Sequence, residues 1–98
     1  MGLNLRSCGP TAGDCTTPYD VIIKGEYTVA SFIEEVDVND NWGAVYVKRE
    51  PFWFGGDKVC DYGRGKTVKN TDEYDDCKVV SAHAHGGWSR YDFYLEVR

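Results

Sequence analysis

Residues 79–97 read VVSAHAHGGWSRYDFYLEV, and this stretch decides the fold. Small apolar residues alternate with polar ones before residues 86–89, and large apolar residues alternate with polar ones after them. A period of two is typical of strands that bury one face. Residues 86–89 have the length and glycine content of a hairpin loop. The stretch therefore predicts an antiparallel hairpin.

The loop length also predicts the register of this hairpin. Ala82 then faces Phe93 on the buried side, and His83 faces Asp92 on the exposed side. Small residues opposite large ones let the buried side pack without overlap. The hydrophobic pattern and the pairing are consistent with each other, so we place both strands in the core sheet.

One helix is predicted upstream of this hairpin, over residues 28–38. Its apolar residues recur at positions i, i+3, i+4 and i+7, which places them in a single stripe: Val29, Phe32, Ile33 and Val36. Thr28 stands where its hydroxyl can cap the first turn.

Further β-branched or alternating runs predict strands at residues 19–24, 42–49 and 58–62. The chain is thus expected to be one α+β domain over residues 19–98, preceded by a flexible arm over residues 1–18. We expect a small, mostly antiparallel sheet of four to five strands with one helix packed on one face. The predicted core consists of Val21, Ile23, Val29, Phe32, Ile33, Val36, Val45, Val47, Val80, Ala82, Phe93 and Leu95.

Composition limits the classes of function. The chain has 98 residues and a net charge of −5, which opposes direct binding to nucleic acid phosphates. Its apolar runs are far shorter than the roughly twenty residues that cross a bilayer, and its first residues lack a signal-peptide core. We therefore expect a cytoplasmic protein of a bacterial cell, with its four cysteines as thiols and no cofactor.

The sharpest local motif is His83-x-His85, because residues i and i+2 of a strand point to the same side. Two imidazoles completed by Cys60 or Cys77 would make a tetrahedral metal site. The simpler alternative is a solvent-exposed strand face on which His83 pairs with Asp92, and in this case the protein holds no metal. A cysteine nucleophile activated by His83 and Asp92 is a further alternative.

Acidic and aromatic residues form the second group of candidates. Carboxylates concentrate in the helix and near residues 72–76, where they would complement a basic partner. Three tryptophans occur, and an exposed tryptophan is a frequent binding hot spot. The predicted partner-binding residues are Trp53, Trp88, Arg90, Glu34, Glu35, Asp37, Asp72, Glu73, Asp75 and Asp76.

From Tyr27 onward, the pattern resembles small uncharacterised proteins of gut bacteria and of their phages or prophages. The matching pieces are YTV at residues 27–29, FIEEV at 32–36, NWG at 41–43 and GGWSR at 86–90, followed by Asp92. In size and charge alone, the chain also resembles the anti-CRISPR proteins with which phages inhibit host defence. These resemblances imply a phage or prophage origin.

These observations predict a non-enzymatic interaction domain that binds and inhibits a basic host protein, such as a nucleic-acid-binding defence nuclease. Two alternatives stay open at this point. One is a small hydrolase that depends on a metal or a cysteine, and the other is a module that binds a small ligand.

Overall fold

The computed structural model describes residues 2–4, 15–37, 42–49, 56–63, 65–86 and 90–98. These residues contain one helix and eight strands. The helix is α1 (Val29–Asp37). The strands are β1 (Gly2–Asn4), β2 (Cys15–Asp20), β3 (Ile22–Lys24), β4 (Trp42–Lys48), β5 (Asp57–Gly63), β6 (Lys66–Lys69), β7 (Val79–Gly86) and β8 (Asp92–Val97).

Six of the strands form one sheet in the order β2-β7-β8-β4-β5-β6, and β1 pairs with β3 separately. All neighbours in the six-stranded sheet are antiparallel except β4 and β8, which are parallel. The α+β class and the mostly antiparallel sheet are confirmed. The sheet is wider than the sequence predicted, because β6, a strand of four exposed residues, adds to β5 at one edge.

The chain before residue 19 contributes strands. Gly2–Asn4 pairs with β3, and Cys15–Asp20 pairs with β7 at the other edge of the main sheet. The run predicted as one strand over residues 19–24 is divided at Val21, which is buried and donates its N–H to the carbonyl of Ala82 at 3.0 Å.

The hairpin of β7 and β8 is present, but its register differs from the prediction by two residues. Ala82 faces Leu95, His83 faces Tyr94 and His85 faces Asp92. The prediction that His83 faces Asp92 is therefore wrong. The cause is a longer connection, since β7 runs to Gly86 and β8 begins at Asp92.

The start of α1 confirms the predicted cap. Thr28 Oγ1 accepts the N–H of Ser31 at 3.2 Å, and Ser31 Oγ accepts the N–H of Thr28 at 2.9 Å. Reciprocal bonds of this kind satisfy backbone donors that the first turn of a helix leaves without partners. The helix starts where the sequence placed it.

The core is one cluster that contains the apolar stripe of α1 and buried side chains of the sheet strands. The ring of Phe32 meets that of Phe93 edge-on, with centroids 5.3 Å apart. The predicted core residues are buried except Ile23, which is half-buried, and Val80, which is 38% exposed. Val80 was placed in the core wrongly, because an irregularity between Val79 and Ser81 turns Val79 inward instead.

The described part of the chain has one helix, α1, and it is neither long nor apolar enough to cross a membrane.

Candidate functional site

The segment that follows β6, residues 70–78, is hydrogen-bonded to the first turn of α1. Within it, Asp75 N–H donates to the Asp72 carbonyl at 3.1 Å. Two backbone carbonyls of this segment accept hydrogen bonds from N–H groups of the helix. The Asp75 carbonyl accepts from Ala30 at 3.2 Å, and the Cys77 carbonyl accepts from Val29 at 3.0 Å. These bonds satisfy backbone N–H groups that the first turn of a helix leaves without partners. The two acidic stretches of the sequence are thus held side by side.

Glu34 and Asp75 line the same cleft. It has a volume of about 290 Å³, and its other lining residues are Ala30, Ile33, Thr67 and Lys69. Apolar residues of α1 and the stem of Lys69 lie beside the carboxylates. Such a cleft can receive a long cationic side chain, since its stem needs apolar contact and its head needs a counter-charge.

A second cleft of about 370 Å³ adjoins the first and is lined by Lys69, Asn70, Thr71, Asp72 and Asp75. Lys69 Nζ forms an ion pair with Asp75 Oδ1 and stands between the two clefts. We use "acidic surface" for Glu34, Asp72, Glu73, Asp75 and Asp76. All of these are exposed except Asp75, which is half-buried.

The two other carboxylates predicted on the helix have different surroundings. Glu35 is half-buried and acts on Tyr27: burial, and after it the negative charge of Glu35, raise the pKa of the Tyr27 phenol. Asp37 is the last residue of α1, and its side chain lies outside the described part of the structure.

Arg90 lies on the other side of the sheet, which we call the outer face: the side of Tyr46, His83, His85 and Tyr94. Its Nη2 and Nε donate to both oxygens of Asp92, at 3.0 and 3.1 Å. The hydrogen bonds to Asp92 raise the pKa of the Arg90 guanidinium. The guanidinium also lies 4.9 Å above the ring of Trp42. Arg90 is therefore fixed in place, apart from the acidic surface.

The two histidines lie on this outer face but have separate contacts. His83 Nε2 is 2.8 Å from Asp20 Oδ1 of the edge strand β2. The His85 ring packs 5.3 Å from the ring of Tyr94, which also stacks on Tyr46 at 5.0 Å. Burial raises the pKa of the Tyr94 phenol.

The four residues of the alternative metal site are not brought together. Cys60 is fully buried in the core, whereas the histidines stand on the outer face. Cys77 is half-buried, with its sulfur 3.8 Å from Arg49 Nη2. Within the described ranges, no group of three or more His, Cys, Asp and Glu side chains is placed to hold a metal ion.

The two predicted tryptophans, Trp53 and Trp88, lie outside the described residues. The tryptophan that the structure does show is Trp42, which is 45% exposed and was not predicted as a site residue. Its position at the start of a strand, before a glycine and an alanine, was the available signal. Gly43 is required beside it, because an added Cβ would lie 1.9 Å from the Tyr91 carbonyl oxygen.

Comparisons with protein-family models, with curated proteins and with solved structures found no match for this chain.

Proposed function

We propose that this chain is a non-enzymatic interaction domain whose acidic surface binds and inhibits a basic protein. The observation that carries the proposal is the cleft in which Glu34 of α1 and Asp75 of the following turn lie together. A folded surface on which one sign of charge predominates accelerates and orients association with a partner of the opposite sign.

The geometry of α1 supports a surface that is open to a partner. We propose that α1 covers the core-facing side of the sheet, in keeping with the contact between Phe32 and Phe93. The acidic surface would then stand on the solvent side of α1, opposite the outer face that carries Arg90. A partner would meet the carboxylates of Glu34, Asp72, Glu73 and Asp76 there, while Lys69 stays paired with Asp75.

The negative charge of the acidic surface supports a basic protein as the partner. A protein with a strongly basic channel, such as an RNA-guided nuclease of a bacterial host, carries cations that normally meet nucleic acid phosphates. The acidic surface would occupy such a channel in the host cytoplasm, as a phage or prophage inhibitor of defence. Cys60 is buried in the core and does not meet the histidines of the outer face, so it lends no support to the alternative of a hydrolase built on these residues.

The test compares two triple variants with the same net charge. E34Q/D72N/E73Q removes charge from the acidic surface, and D20N/E26Q/D61N removes it elsewhere; neutralising three carboxylates changes the net charge from −5 to −2 in both. All six side chains are exposed. Binding to a guide-loaded RNA-guided nuclease, and inhibition of its DNA cleavage, are measured at low and high salt.

We expect the first variant to lose binding and inhibition, the second to retain both, and the binding of the wild-type chain to weaken steeply with salt. Equal losses in the two variants would show that only net charge matters. A panel of basic nucleases and other basic proteins that all fail to bind the wild-type chain would contradict the proposal.

A further inference from the structure

A third cleft opens where β4 ends and β5 begins. Its volume is about 390 Å³, and its lining residues are Val47, Lys48, Arg49, Gly56, Asp57 and Tyr74. Two of these side chains are cationic and one is anionic, in a chain whose net charge is −5. The cleft uses no residue of the acidic surface.

Arg49 is held in a defined orientation at this cleft. Its guanidinium carbon lies 5.0 Å from the centroid of the Tyr74 ring, and Nη2 lies 3.8 Å from Cys77 Sγ. A guanidinium that stacks on an aromatic ring keeps its N–H edge available in its own plane. Such an edge can donate two parallel hydrogen bonds to an oxyanion.

The carboxylate in the cleft already has a donor. The Tyr74 hydroxyl donates to Asp57 Oδ2 at 2.5 Å, which connects the turn to the first residue of β5. This bond occupies one carboxylate oxygen and positions the ring over which the Arg49 guanidinium lies. Two walls of the cleft are therefore joined without a ligand, which reduces the ordering cost of binding.

Gly56 permits the backbone before β5 to approach the backbone at the end of β4, and this contact forms another wall of the cleft. Its φ is +93°, and a Cβ at this position would lie 2.5 Å from the Val47 carbonyl oxygen. Other residues rarely adopt this backbone conformation. The chain can thus re-enter the sheet directly against the last residues of β4.

We propose that this cleft binds a small phosphate-bearing ligand of about mononucleotide size, with Arg49 holding two phosphate oxygens and Lys48 supplying a second positive charge. A phosphate monoester carries a charge of about −1.5 to −2 at pH 7, which matches two cations better than a carboxylate does. The volume of the cleft falls within the range of about 300–1,000 Å³ that is typical of small-ligand sites. The inference is independent of the acidic surface.

The test uses the full ¹⁵N-labelled chain and three probes: inorganic phosphate, adenosine monophosphate and acetate. Each is added to about 20 mM, which covers millimolar affinities. We expect the amide signals of Arg49, Gly56 and Asp57 to shift saturably with both phosphate compounds. Acetate should bind at least about fivefold more weakly, because it carries one charge. Tighter binding of the nucleotide than of inorganic phosphate would show that the cleft also contacts the rest of the molecule.

Variants assign the binding to the proposed residues. R49Q should weaken binding about tenfold and R49K less, because lysine keeps the charge but loses the paired donors. K66Q removes an exposed lysine outside the cleft and should change nothing. D57N should strengthen binding, because it removes a negative charge from the cleft while its amide oxygen can still accept from Tyr74. This gain does not depend on R49Q folding.

The proposal is overturned if neither phosphate compound gives saturable shifts. It is also overturned if acetate binds as tightly as phosphate, or if R49Q and K66Q bind alike.

Discussion

His83 Nε2 lies 2.8 Å from Asp20 Oδ1, and this contact joins β7 to the edge strand β2. Asp20 is 85% exposed on its side chain, so solvent screens the contact. We expect D20N to lower the free energy of unfolding by about 0.2–1 kcal/mol, as is usual for exposed pairs. The larger effect should be local: faster hydrogen exchange of the Val21 amide, which bonds to Ala82 beside the pair.

The matched control for this prediction is K58Q, which breaks another exposed ion pair of the outer face, between Lys58 and Asp61. It should leave exchange at Val21 unchanged. Equal exchange at Val21 in both variants would mean that the contact does not hold β2 in place.

Among the residues that the structure describes, Asp92 is a buried charged residue with several hydrogen bonds. Its Oδ1 accepts the backbone N–H of Ala44 at 3.0 Å, and both of its oxygens accept from Arg90. D92A should lower the free energy of unfolding by about 2–4 kcal/mol, because it leaves a buried N–H without a partner and removes the counter-charge of Arg90. D92N should cost less, since an amide oxygen can still accept from Ala44.

Urea denaturation measures both variants, with D61A as the control. Asp61 is 51% exposed on its side chain, and its loss should cost less than about 1 kcal/mol. If D92A and D61A were equally stable, the buried network would have no energetic role.

Two adjacent valines test which side of β7 faces the core. Val79 is 5% exposed and Val80 is 38% exposed. V79A should lower the free energy of unfolding by about 2 kcal/mol, because it removes two methyl groups' worth of buried surface and leaves a cavity. V80A should cost less than about 1 kcal/mol, because much of its side chain is already in water. The reverse order in thermal or urea unfolding would show that the strand faces the other way.

The raised pKa of Tyr74 predicts that the folded protein loses stability at alkaline pH. Its hydrogen bond to Asp57, and after it burial, raise the pKa of the phenol above its ordinary value of 10.0. The folded state therefore holds the phenol proton more tightly than the unfolded state does. This stabilisation is fully present below about pH 10 and is lost as pH rises through the folded pKa.

Absorbance at alkaline pH should show the Tyr74 phenol ionising above the range of a free tyrosine, and Y74F should flatten the fall in stability above pH 10. A wild-type chain whose stability falls with pH as gradually as that of Y74F would contradict the assignment.

The sequence was most informative where hydrophobic period and capping chemistry agree. The stripe from Val29 to Val36 and the cap at Thr28 predicted α1 within a residue at each end. The register of the hairpin was not accessible in the same way. A slip of two residues keeps every side chain on its own face, so the pattern of Ala82, Ala84 and Phe93 fits either register.

The sequence predicts which residues belong to the candidate site, but it does not predict how the fold arranges them. Glu34 and Asp75 were both singled out, but their meeting in one cleft depends on backbone bonds from Ala30 and Val29 to the turn. His83 was assigned the wrong carboxylate, because the pairing of β2 with β7 joins distant parts of the chain. Local patterns carry no information about such pairings.

The position of β8 in the middle of the sheet has a consequence for folding during synthesis of the chain. Although it is the last of the eight strands in sequence, it lies between β7 and β4 and is the strand that connects β2-β7 to β4-β5-β6. Until residues 92–97 leave the ribosome, β4 has an open edge beside Val45 and Val47, and Phe32 has no Phe93 to pack against. Exposed strand edges of this kind pair with other chains. Aggregation should therefore compete most strongly with chains that lack residues 92–97, because six of the described strands form one sheet only when β8 pairs with both of its neighbours.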